Sequence, residues 1–110
     1  MTSVRRPQFG EIWLAPEGTL LPGGMLCLIV SGFEYNYEHD QRIIVEVVGE
    51  TLATVGGLGV PLGEAVGTAL IGTPMTVSLD WFAGSTEPVY ALHEKLAGQV
   101  AERIRDLLGP

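Results

Sequence analysis

The run Met25-Leu26-Cys27-Leu28-Ile29-Val30-Ser31 constrains this chain more than any other stretch. It is almost wholly apolar, with Pro22-Gly23-Gly24 before it and Gly32 after it. A run so short, bounded by breakers, reads as a strand covered on both faces rather than as a helix. Such a strand needs partners on its edges and layers above and below, and the rest of the chain must supply them.

Phe9-Gly10-Glu11-Ile12-Trp13-Leu14 reads as a first strand, with Ile12 and Leu14 on one face and Glu11 and Trp13 on the other. Residues 15–24 hold prolines and glycines and form a loop. Residues 32–40 are polar and aromatic, a loop or a single helical turn. Arg42-Ile43-Ile44-Val45-Glu46-Val47-Val48 is β-branched and reads as another buried strand. Glu46 interrupts it, which points to a face that reaches water or a subunit interface. Residues 49–67 are glycine-rich, and Val60-Pro61-Leu62 offers a short, bent strand. Thr68-Ala69-Leu70-Ile71 and residues 76–82 read as two strands separated by Gly72-Thr73-Pro74, the second with one solvated face. The last segment changes period. Ser85-Thr86-Glu87-Pro88 resembles a helix start. Val89, Leu92, Leu96, Val100, Ile104 and Leu107 recur every three or four residues, predicting an amphipathic helix over 86–108. The expected class is mainly β: a small closed or half-open barrel of five to seven strands with a C-terminal helix, as a single domain over 1–110.

Composition narrows the function. A hydrophobic content of 46% excludes a disordered chain. Apolar runs stay well short of the roughly 20 residues of a membrane span. Arg5 and Arg6 are followed by Pro7-Gln8-Phe9-Gly10-Glu11 rather than by an apolar leader, so the expected location is the cytoplasm. Cys27, the lone cysteine, cannot form an internal disulfide and reads as a small core residue. The formal net charge is −7, and between residues 7 and 94 only Arg42 is basic. Nucleic-acid affinity depends heavily on Lys and Arg meeting phosphates, so the charge map argues against RNA binding.

The short motifs mostly read as structure. Gly57-Leu58-Gly59 lacks the third glycine of a dinucleotide loop and the Gly-Lys pair of a phosphate loop, and reads as a turn. His93-Glu94 opens like a zinc-protease helix, but the second histidine would fall at Ala97, leaving a helix-surface pair. Two histidines and one buried cysteine offer no structural zinc site, and no cofactor pattern is present. His39-Asp40 has the residue types of a base with its orienting acid, but lies in a polar segment where solvation is the simpler reading. Phe33, Tyr35 and Tyr37 have the rings to stack bases. Without nearby cations they read as a loop anchor or a subunit contact.

Taken in order, these elements resemble the MazF/PemK toxins of bacterial toxin–antitoxin modules. Gly10-Glu11-Ile12-Trp13-Leu14 is similar to the family's opening strand. Leu28-Ile29-Val30-Ser31 is similar to the end of its Arg-Pro-hydrophobic-Ser strand. Ala69-Leu70-Ile71 and the closing Leu107-Leu108-Gly109 match its later pattern. The resemblance implies an SH3-like barrel, a homodimer, metal-independent cleavage of single-stranded RNA, and an acidic antitoxin partner. It also places the family's catalytic arginine at Met25, the following proline at Leu26, the threonine at Val48, the neighbouring serine at Gly49 and the acidic residue at Gly72. Methionine cannot stabilise an anionic transition state, and losing one such donor costs on the order of 10²–10³ in rate. Two functions follow. One is a catalytically silent member of the fold that acts as a binding or regulatory module. The alternative is an active endoribonuclease in which Arg42, Ser31, Thr51 or His39 replaces the lost groups. An unrelated barrel of the same shape is the third reading. Cation placement separates the first two, because an RNA-cutting site needs at least two basic groups converging on one groove.

Overall fold

The computed structural model describes residues 6–15, 26–49, 58–63, 66–82 and 87–109. Among the described residues, six strands form one antiparallel sheet: β1 (Glu11–Leu14), β2 (Leu26–Ile29), β3 (Gln41–Val48), β4 (Gly59–Pro61), β5 (Thr68–Ser78) and β6 (Tyr90–Ala91). Their order is β4-β5-β3-β2-β1-β6, and the sheet curls into a half-barrel. A short helix α1 (Phe33–Glu38) joins β2 to β3, and α2 (Glu94–Leu107) ends the described chain.

Strand β2 sits where its sequence requires, between β1 and β3. Its pairs Ile12↔Leu28 and Leu28↔Val45 put alternate residues on one face, and Trp13↔Cys27 and Ile29↔Ile44 put the others on the opposite face. Each face builds its own core. The first gathers Ile12, Leu28, Val45, Val47, Ala69 and Ile71 beneath Ala97 and Val100 of α2. The second gathers Trp13, Cys27, Ile29, Ile44 and Val77 against Phe82. Two cores on one sheet explain why β2 and β3 read as nearly continuous apolar runs. Burial pushes the Cys27 thiol up to about 12, which leaves it a neutral core group, as its position in the sequence suggests.

Three expectations are corrected. The helix is Glu94–Leu107, not 86–108. Within the described part of its expected first turns, Val89 N donates to Ile12 O at 2.8 Å and Leu92 N donates to Gly10 O at 2.9 Å, so this stretch covers the outer edge of β1. Of the two apolar residues only Leu92 is buried, Val89 being exposed, and the main-chain carbonyls of Ile12 and Gly10 decided the outcome by taking up the N–H groups of this stretch. The helix is capped instead by His93, whose Nδ1 accepts from Lys95 N at 3.1 Å, so His93-Glu94 is a cap and a first helical residue. The expected cap at 85–86 lies outside the described residues.

Residues 68–71 and 76–78 belong to one strand, which runs through Gly72-Thr73-Pro74. The register against β3 jumps from Ile44↔Met75 to Glu46↔Leu70, so the extra residues form a bulge. Pro74 sits where no ladder hydrogen bond to β3 is needed, which is how a strand accommodates it. Beyond Ser78 the expected strand gives way to a 3₁₀ turn, Leu79–Phe82, which brings Phe82 onto Trp13 edge-to-face at 5.7 Å. Gly67 closes the turn before β5 with φ 117°, and a Cβ there would stand 2.2 Å from Val48 O, so this position admits only glycine.

Candidate functional site

The β2–α1–β3 connection carries three of the four candidate residues, Ser31, His39 and Arg42; Thr51 lies outside the described residues. Ser31 is buried, and its Oγ donates to Asn36 Oδ1 at 2.6 Å and accepts from Ile43 N at 3.1 Å. Asn36 Nδ2 returns a bond to Ser31 O at 2.8 Å. This closed set fixes α1 on the sheet and leaves the hydroxyl committed to structure. His39 is exposed, and its ring lies against Tyr35 at 4.6 Å.

Arg42 is fully buried. Its Nε donates to Pro7 O at 2.7 Å, and its Nη1 donates to His39 O at 3.0 Å and Gln41 O at 2.7 Å. Nη2 is buried without a hydrogen-bond partner. Burial holds the guanidinium pKa below its ordinary value and Arg6 adds repulsion, while Asp40 and Tyr35 partly counter it. The guanidinium ties the N-terminal segment and the start of β3 to one point. Arg6 Nη2 joins the same arrangement through Asp40 Oδ1 at 3.0 Å.

Of the positions to which the resemblance assigns catalysis, Leu26, Val48 and Gly49 lie at the opposite end of these strands. Val48 is the last residue of β3 and pairs with Thr68, and Leu26 pairs with Val47. Gly49 is exposed, Gly72 lies in the bulge of β5, and Met25 lies outside the described residues. None of Val48, Gly49 or Gly72 has a side chain able to donate a proton or stabilise an oxyanion.

Two features that the sequence marks take their surroundings from the fold. The first is Glu46, across from Cys27 on the second core face. It is 5% exposed, and its Oε2 is buried with no hydrogen-bond partner among the described residues. Burial raises its carboxyl pKa above the usual range. The stability tied to its neutral form is present below the unfolded-state pKa, about 4.3, and is lost as pH rises through the raised folded value. Glu46→Gln is therefore expected to stabilise the protein by about 1 kcal/mol at neutral pH, with the gain vanishing as the pH falls below the unfolded-state value. Urea melts of both proteins at acidic and neutral pH check this; equal midpoints at neutral pH would refute it.

The second is a groove of about 420 Å³ lined by Arg6, Gln8, Phe33, Asn36 and Tyr37. Phe33 is 77% exposed and Tyr37 91% exposed. A cation thus stands beside these rings after all, brought from the N-terminal segment, and it is already paired with Asp40.

A curled sheet of six antiparallel strands with a helix closing one face defines a small half-barrel, and this is the fold of the MazF toxins. The chain superposes on MazF of Deinococcus radiodurans with a TM-score of 0.70 at 22% identity, covering 96% of this chain and 99% of that one. It superposes on an endoribonuclease from a mycobacterial species with a TM-score of 0.72 at 14% identity, covering 96% and 94%. A mycobacterial endoribonuclease in complex with its cognate antitoxin gives 0.69 at 16% identity, covering 94% of each chain. No family model matches the sequence, and no curated protein does. Among the described residues, no helix is long and apolar enough to cross a membrane.

Proposed function

We propose that this chain is a toxin-fold protein of a toxin–antitoxin type system, catalytically silent, working in the cytoplasm as a homodimeric binding or regulatory module. The observation that carries the reading is the fate of the central cation. Arg42 is turned inward onto three main-chain carbonyls, at the end of the strands away from Val48. Val48, Gly49 and Gly72 bring no replacement chemistry, and Met25 has none to bring. The antitoxin bound to the mycobacterial endoribonuclease supports a protein partner for this chain too. The net charge of −7 works against RNA binding.

The second reading, an endoribonuclease built from non-standard residues, is favoured by the likeness to the mycobacterial endoribonuclease. The test is direct. Purified protein is incubated with single-stranded RNA without added metal, and the chain is expressed in a bacterium. Intact RNA and unimpaired growth are the expected results. Cleavage of the RNA together with growth arrest would replace the first reading with the second.

A further inference from the structure

On the helix side of the sheet, another groove of about 310 Å³ stays open past the end of the first core. Val30 lies two residues beyond Leu28, and Ile43 two before Val45, so both stand on the first core's face. Val30 N donates to Ile43 O at 2.9 Å, and Ile43 pairs with Thr76 of β5. Pro74 lines the groove on the same strand. Helix α2 covers the core with Ala97 and Val100, then runs Ile104 and Leu108 along the other wall. Val30, Ile43 and Ile104 are only half-buried, Pro74 and Thr76 are exposed, and Leu108 is 80% exposed. Contiguous apolar side chains left in water mark an interaction surface.

The groove borders a bare strand edge. β4 pairs with β5 through Thr68, Ala69 and Leu70, and Ile71 N donates to Leu58 O at 2.9 Å. From Gly72 to Ser78 the outer edge of β5 has no strand partner among the described residues. Exposed edges are commonly guarded by charged side chains or proline. Here Pro74 is the one guard, and residues 72–78 carry no charge.

Charge selects the occupant. Every residue lining this groove is uncharged, whereas Arg6 lines the groove beside α1, and Glu102, Arg103 and Asp106 line another on α2. A partner recognised by its charge finds nothing to pair with here. A second copy carries the same net charge of −7, so two chains repel unless they meet where neither presents a carboxylate. A two-fold axis sets each patch on its own image. A charge-free patch tolerates that arrangement, and a patch of carboxylates does not.

We infer that a second copy of this chain docks on this patch, covering the groove and the bare edge of β5. The contact rests on the homodimeric reading above and gives it a surface. It is held by apolar burial, without ion pairs.

Sedimentation of the full chain tests this at ionic strengths of about 0.01 M and about 0.1 M, where the Debye length is about 30 Å and about 10 Å. A dimer is expected, and it should tighten at the higher salt as the repulsion between like net charges is screened. Thr76→Glu/Leu108→Glu sets carboxylates against their own images and should weaken it by about 100-fold or more. Thr76→Asn/Leu108→Asn adds no charge and should weaken it by about tenfold, which keeps the test open should the glutamate variant not fold. Phe33→Glu/Tyr37→Glu adds the same charge to exposed rings elsewhere and should leave the dimer intact at the higher salt. Circular dichroism verifies folding. A monomeric wild-type chain overturns both this contact and the homodimeric reading. A dimer that persists in the folded Thr76/Leu108 variants overturns this surface alone and leaves the homodimer standing. So does a dimer that weakens as salt is added, which would place ion pairs in the contact, or one that the Phe33/Tyr37 variant dissociates.

Discussion

Arg42→Ala is expected to destabilise the fold by about 3–5 kcal/mol, whatever the protein does with RNA. The substitution removes the donors to Pro7 O, His39 O and Gln41 O together and leaves a void where a fully buried side chain stood. Carbonyls stripped of partners cost about 1–3 kcal/mol each when water cannot reach them. Arg42→Lys should recover only part of the loss, since an ammonium cannot spread its donors over the same fork. Thermal melting of the three proteins checks this, with the alanine variant falling by more than about 10 °C. An unchanged midpoint would show that the guanidinium contributes no stability and would return Arg42 to the list of reactive groups. The distinction matters for any activity assay, because an inactive Arg42→Ala protein is uninformative until it is shown to be folded.

Trp13→Ala should lose a similar amount, about 3–5 kcal/mol. Trp13 is fully buried at the centre of the second core, edge-on to Phe82 at 5.7 Å, with Nε1 donating to Glu11 Oε1 at 3.1 Å. The same carboxylate oxygen accepts from Gln8 N at 2.9 Å. Trp13→Phe keeps most of the apolar volume and drops the indole donor, so it should cost clearly less than the alanine change. Denaturant melts of the pair separate packing from hydrogen bonding. Equal losses in both variants would mean that the Nε1–Glu11 bond, rather than the ring, dominates this site.

Both residues illustrate what can be read along a chain. The apolar runs of β2 and β3 made the burial of those strands legible, and the alternation along β1 set Trp13 on the face opposite Ile12, because a strand's two faces are set by residues two apart. Arg42 was legible as the one central cation but not as a buried one. Its fate depends on Pro7 O, 35 residues away, and no local pattern reports where a distant carbonyl will stand. Glu46 could be marked as an interruption, yet sequence pointed to water or an interface, and the structure seals its Oε2 inside the chain. The groove was half legible. Phe33 and Tyr37 stood out as polar-loop aromatics, while Arg6, far away in sequence, joined them only through the fold.

The sequence by itself determined the β2 and β3 strands, the buried thiol of Cys27, the amphipathic end of the chain and a central stretch with Arg42 as its one cation, all of which are local patterns or composition. Tertiary structure alone decided where α2 begins, how β5 carries Pro74 through a bulge, and which way Arg42 points. The reason is common to the three cases. Val89 and Leu92 fit a helix or an edge strand equally well, Gly72-Thr73-Pro74 fits a break or a bulge, and an arginine fits solvent or a cluster of carbonyls. The selection came from backbone groups elsewhere, on β1, β3 and the segment at Pro7, that had to be hydrogen-bonded once water was excluded.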